Sequence, residues 1–152
     1  MQPIKKILLT KEAHQFYVKD TNQDYHTQYG YIKKSDFTKD GKIATSSNKE
    51  IFMFSPSFID CYRKIKRSAQ IIPLKDIGAI ITETGIDKKS KIVDAGAGSG
   101  ALACFLAHIG KEVTTYEIRD DFAKIVEENI KFLGLKNINE IDSIMAKLAE
   151  KS

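Results

Sequence analysis

Three glycines at alternate positions, Gly96, Gly98 and Gly100, follow a short apolar run that ends in Asp94. Glycine adopts positive φ without steric cost and lets a ligand approach the main chain closely. A helix opening straight after such a loop presents unpaired N–H groups at its start. Glu117 closes the next apolar run, about twenty residues further on, where a carboxylate can accept both hydroxyl hydrogens of a ribose. Loop and acid together suit a cofactor built on a nucleoside. A tight strand-to-helix turn with no ligand needs neither three alternating glycines nor the spaced acid.

Two cofactor classes compete for this pattern. Gly96, Gly98 and Ala101 fit the dinucleotide form GxGxxA, which allows a nicotinamide dinucleotide module. Asp94 argues otherwise, because a negative charge two residues before the first glycine suits a cationic ligand better than a pyrophosphate. The glycine at 100 also gives the GxGxG form of S-adenosylmethionine sites. That cofactor carries a positive sulfonium and a positive amino group. S-adenosyl-L-methionine is the expected cofactor.

The surrounding chain must position this loop. Lys91–Asp94 reads as a strand, and the loop opens a helix with Leu102, Phe105, Leu106 and Ile109 inward and Gly110 as its stop. Val113–Glu117 reads as a second strand. Asp120 starts a helix with Phe122, Ile125, Val126, Ile130 and Leu133 on its apolar face, and Gly134 ends it. This β–α–β–α order predicts a parallel, helix-covered sheet. A last amphipathic stretch runs over 141–148. Upstream, Phe58, Cys61, Tyr62 and Ile65 fall on one helical face after Ser55–Pro56. Asp76 is placed to cap a further helix that stops at Gly85. Residues 1–54 hold short strands (7–9, 16–18, 29–32, and a hairpin over 42–54) separated by turns at 20–24 and 39–41. The expected fold class is α/β: a small N-terminal β domain followed by the N-terminal half of a Rossmann-like sheet. The expected domains are 1–54, a helical connector at 55–90, and a partial cofactor-binding domain at 91–152.

Residues from about 24 to 138 resemble the tRNA (adenine-N1)-methyltransferases of the archaeal type that modify the T-loop adenosine. The resemblance is carried by DYHTQYGYI at 24–32, SPSFIDCYRKIKRSAQIIPLKD at 55–76, and the stretch from Lys91 to Ile138. It implies an S-adenosylmethionine-dependent enzyme with a seven-stranded methyltransferase sheet, usually assembled as a tetramer. It further implies that Gln70 and Ile71 lie against the cofactor. Asp94, Gly96, Gly98, Ser99 and Gly100 would form the cofactor loop, Glu117 would hold the ribose, and Arg119 would lie near that acid. The chain departs from the family pattern at Pro73–Leu74, where the family has Tyr-Pro. The family's catalytic aspartate lies on the fourth sheet strand, and no segment of that kind follows Ile138. No catalytic residue is therefore assigned, and methyl transfer by these residues alone is expected to be weak or absent.

Arg63, Lys64, Lys66 and Arg67 form a basic stretch without an acid, followed by Lys75. A charge run of this kind is often only a solvated helix face. With the resemblance, it becomes a candidate surface for tRNA phosphates. His14, His26 and His108 share no metal-ligand spacing, so no metal is expected. Neither Ser57 nor Ser99 has a His–Asp partner at a recognisable spacing, which leaves nucleophilic hydrolysis unsupported. Cys61 and Cys104 belong to no CxxC pair and read as buried thiols.

Composition fits this picture. The 152 residues are 42% hydrophobic and 29% charged, with 24 basic against 20 acidic side chains and a net charge of +4. That is the balance of a globular protein rather than a disordered tail. No apolar run has the length of a membrane span or signal peptide, and a cytoplasmic protein fits. Residues 91–152 are far too few for seven strands, since each βαβ unit takes about 30 residues or more. Two strands, or three at most, are expected there. In the sheet order the resemblance implies, the first strand is central, so its missing neighbour would leave an open edge, which implies a homo-oligomer or a partner chain covering it. The alternative to an enzyme half is a non-catalytic RNA-binding or scaffold subunit that uses the β domain and the basic stretch.

Overall fold

The computed structural model describes residues 1–67 and 70–142, with the backbone alone for 140–142. It divides into two compact units, one of residues 2–61 and one of residues 62–152 with Met1.

The first unit is built from six strands: β1 (Lys6–Thr10), β2 (Gln15–Val18), β3 (Tyr25–Thr27), β4 (Gly30–Ile32), β5 (Gly41–Ala44) and β6 (Glu50–Phe54). Four of them form an antiparallel sheet in the order β2-β1-β6-β5, and β3-β4 form a separate hairpin. Alternation along β1 and β6 sends Leu8, Ile51 and Met53 into a core with Val18, Ile32 and Phe37. The β5–β6 hairpin lies where the sequence predicts it. Strand β3 and a 3-10 turn at Lys34–Thr38 were not expected. The turn carries Phe37 into the core, and the Asp24 carboxylate steadies it by accepting the Lys34 N–H at 2.9 Å. On the surface, Glu50 pairs with Lys11 at 2.6 Å and Lys42 at 2.9 Å. Those ammonium groups hold its carboxyl down at about 2.

Helix α1 (Phe58–Tyr62) is shorter than the spacing through Ile65 suggests. Its start is held by Asp60, whose carboxylate accepts the Ser57 N–H at 2.9 Å and hydroxyl at 2.6 Å. Cys61 is half-buried rather than buried, while Cys104 is buried as expected. Helix α2 (Leu74–Thr84) begins earlier than the Asp76 cap predicts. Pro73, with extended backbone, is the N-cap, and its carbonyl accepts the Asp76 and Ile77 N–H groups at 2.9 and 3.1 Å. Asp76 falls in the first turn, where its charge favours the helix dipole.

The second unit contains a parallel sheet in the order β7-β8-β9. The strands are β7 (Lys91–Ala95), β8 (Glu112–Glu117) and β9 (Ile138–Asp142), alternating with helices α3 (Ala101–Ile109) and α4 (Asp120–Leu133). The third strand takes the upper limit of the expectation. The amphipathic stretch predicted at 141–148 begins inside β9, and its remainder lies outside the described residues. Val113 and Ile138 meet Ala103, Cys104, Leu106 and Ala107 in one core. Of the predicted inward face of α3, Leu106 is buried in this core and Leu102 packs against it, while Phe105 and Ile109 are only partly buried and the small residues fill the rest of the face. Small side chains let the helix end sit close to β7, where a Cβ on Gly110 would lie 2.7 Å from the Ile92 side chain. The other face of β7 is open, and Val93 is 73% exposed.

Candidate functional site

The glycine loop joins the C-terminal end of β7 to the start of α3. Gly96, Gly98 and Gly100 take φ of 87°, 58° and 73°. All three lie in the left-handed region that side chains avoid. At Gly100 space adds to the constraint, since a Cβ there would lie 3.0 Å from the Val126 side chain. The loop is pinned at both ends. The Gly96 and Ala97 N–H groups donate to the Tyr116 carbonyl at 2.9 and 3.0 Å, and Gly100 N–H donates to the Ala97 carbonyl at 2.7 Å.

Glu117 lies at the end of β8, 7% exposed. Its carboxylate is held by three backbone donors. Gly98 N–H reaches Oε2 at 2.7 Å, and the Ile118 and Arg119 N–H groups reach Oε1 at 2.9 and 3.0 Å. A buried carboxylate is tolerated where charge-assisted bonds of this kind replace water. The acid therefore faces the glycine loop in a fixed orientation, at the strand ends where α/β sheets bind ligands. Ile118 stands beside it, 69% exposed.

Asp94 and Thr115 are register partners on β7 and β8. The Thr115 hydroxyl donates to Asp94 Oδ2 at 2.7 Å. Arg119 lies near Glu117 through its backbone. Its guanidinium is committed elsewhere, to Asp121 at 2.7 and 3.1 Å and to the Phe122 ring at 4.0 Å, and the Asp121 carboxylate raises its pKa.

The structure thus brings together Asp94, Gly96, Gly98, Ser99, Gly100, Glu117 and Arg119. Lys66 joins them through a residue that the sequence reading missed. Asn129 is fully buried on α4. Its Oδ1 accepts the Lys66 N–H at 2.8 Å, and its Nδ2 donates to the Lys66 carbonyl at 2.9 Å and to the Ser99 carbonyl at 2.8 Å. A lone amide in the apolar stripe between Val126 and Ile130 was the available signal. Thr115 was missed for a similar reason, as a hydroxyl within an otherwise ordinary strand. The Arg63, Lys64, Lys66 and Arg67 side chains are exposed, and Lys66 pairs with Glu128 at 3.3 Å. Gln70 is exposed and Ile71 half-buried, beyond the undescribed pair 68–69. Among the described residues no cluster of His, Cys, Asp and Glu could hold a metal ion, and no helix is long and apolar enough to cross a membrane.

The chain is similar to several known proteins. The family described as ribosomal RNA adenine dimethylase matches residues 73–145. The tRNA (adenine(57)-N(1)/adenine(58)-N(1))-methyltransferase of Methanocaldococcus jannaschii is 30% identical over 132 residues, which is 85% of this chain and 47% of that protein. The tRNA (adenine(58)-N(1))-methyltransferase of Thermus thermophilus is 29% identical over 102 residues, 64% of this chain and 40% of that protein. Among solved structures, an S-adenosylmethionine-dependent O-methyltransferase of Thermotoga maritima superposes with a TM-score of 0.77 at 30% identity, covering 97% of this chain and 58% of that one. The tRNA (m1A58) methyltransferase of Aquifex aeolicus shares the fold, with a TM-score of 0.72 at 22% identity and coverage of 95% and 59%. The chain spans about half the length of the curated relatives it matches.

The parallel sheet and its glycine loop are those of the S-adenosylmethionine-dependent methyltransferase class. Within that class, the chain is a homologue of the tRNA (adenine-N1)-methyltransferases.

Proposed function

We propose that this chain is the cofactor-binding half of an S-adenosylmethionine-dependent methyltransferase acting on adenosine N1 in tRNA. The observation that carries the reading is the left-handed glycine loop closed onto Glu117 by the 2.7 Å Gly98 N–H bond. Gly96, Gly98, Ser99 and Gly100 would cradle the cofactor, and Glu117 would accept its ribose hydroxyls with the lone pairs its backbone donors leave. Ile118 offers an exposed apolar surface for the base. Asp94 would face the positive end of the cofactor, and Gln70 and Ile71 would line the pocket from the preceding segment. Arg119 contributes through its backbone hold on Glu117. The cofactor supplies the electrophilic methyl group when bound. The protein's share of such a transfer is to set the methyl in line with the ring nitrogen and to stabilise developing charge.

The test is calorimetry with S-adenosylhomocysteine alongside a methylation assay on tRNA. Binding with little or no 1-methyladenosine is the expected result, since the family's catalytic-aspartate segment is not among these residues. No binding of S-adenosylhomocysteine together with tight binding of NAD would replace this reading by a dinucleotide module.

Arg63, Lys64, Lys66 and Arg67 would contact tRNA phosphates, supported by their exposure and by the Asn129 link from Lys66 to the loop. The same basic stretch would serve a non-catalytic RNA-binding subunit, for which the absence of cofactor binding would be diagnostic.

The open edge of β7 and the 73% exposure of Val93 support association with a second copy. Light scattering well above micromolar concentration is expected to give a mass above that of one chain. A monomer under those conditions would sink the idea.

A further inference from the structure

Alternation along β8 places Val113, Thr115 and Glu117 on the helix-covered face. Val113 belongs to the core, and Glu117 is held by the loop. Thr115 lies between them, fully buried. A hydroxyl placed there must find an acceptor, and the one it finds is Oδ2 of Asp94, its register partner across the strands. Among the described residues Asp94 Oδ1 accepts no hydrogen bond. A carboxylate on a strand end turns freely about its last torsion unless one oxygen is fixed. The 2.7 Å bond fixes Oδ2 toward the buried side and leaves Oδ1 as the acceptor beside the glycine loop.

We propose that Thr115 is a positioning residue for cofactor recognition: it orients Asp94 so that the free carboxylate oxygen meets the ammonium of the cofactor's amino-acid end. The inference rests on the cofactor reading above and adds to it a residue that never touches the ligand. Val in place of Thr keeps the branched shape and removes only the hydroxyl, while Ser keeps the hydroxyl.

The test measures two ligands on each variant by calorimetry. S-adenosylhomocysteine carries the ammonium, and 5′-methylthioadenosine has the same nucleoside without it. Thr115→Val is expected to weaken S-adenosylhomocysteine binding about tenfold, the order of one charge-assisted hydrogen bond. 5′-Methylthioadenosine should change by less than about twofold on the same scale, and Thr115→Ser should restore S-adenosylhomocysteine affinity. A purely structural role would move both ligands together. Asp94→Asn, which leaves Thr115 in place, must show the same selective loss; equal or no loss there overturns the proposal even if Thr115→Val does not fold. Equal losses for both ligands, or no loss, would overturn the role of Thr115 with the cofactor reading intact. A wild-type chain that binds neither ligand would overturn both.

Discussion

Glu117→Gln is expected to weaken S-adenosylhomocysteine binding by about 100-fold or more. The carboxylate receives three backbone N–H groups, two on Oε1 and one on Oε2. Glutamine has a single oxygen. If that oxygen stays with Ile118 and Arg119, the amide NH2 is turned against the Gly98 N–H, donor against donor. If the amide flips, Gly98 is satisfied and the other two donors are not. In the first case the loop loses its anchor, in the second the turn after β8 loses two bonds, and in both the ribose loses a charged acceptor. Hydrogen bonds to charged groups contribute about 1.5–3 kcal/mol each, so losing two gives a factor of about 10² or more. The measurement is a calorimetric Kd on variant and wild type, with circular dichroism to show both are folded. A folded variant within about threefold of the wild type would show that Glu117 organises the turn without holding the ligand.

Asn129→Leu is expected to cost about 2–4 kcal/mol of stability. It strips the partner from the buried Ser99 carbonyl, a group costing about 1–3 kcal/mol when left unpaired, and from the part-buried Lys66 N–H and carbonyl, which cost less because water reaches them in part. Against a typical domain stability of about 5–15 kcal/mol that is a large fraction. Asn129→Asp separates hydrogen bonding from packing. It has the same shape and keeps an acceptor for Lys66 N–H, yet it loses both donors and sets a carboxylate against two carbonyls. It should destabilise at least as much as leucine at neutral pH. Urea unfolding gives the comparison through the midpoint at unchanged slope. An aspartate variant close to wild type would mean that α4 holds the loop by packing alone.

The sequence was most legible where a backbone requirement leaves a residue-type signature. Gly85 and Gly134 end α2 and α4 in the left-handed conformation, and the loop glycines together with Glu117 stand where spacing placed them. It was less legible where two signals compete. Pro73 and Asp76 both mark a helix start, and proline took the cap because its fixed φ already suits the position. In α3 the larger apolar residues read as the inward face; Leu106 and Leu102 do pack into the core, but the alanines and Cys104 share that face while Phe105 and Ile109 are only partly buried. Asn129 and Thr115 were missed because a polar residue inside an apolar stripe looks like an imperfection until its partners are seen. Those partners come from 63 and 21 positions away along the chain, beyond the reach of any local pattern.

The three-donor hold on Glu117 also bears on time. A carboxylate whose orientation is set before a ligand arrives needs no rearrangement on encounter, and neither does a loop already bonded to it. A site competent before encounter keeps apparent affinity undiluted by a prior conformational step. On the proposed reading, a ribose held by Glu117 would meet an acid already oriented by its backbone donors.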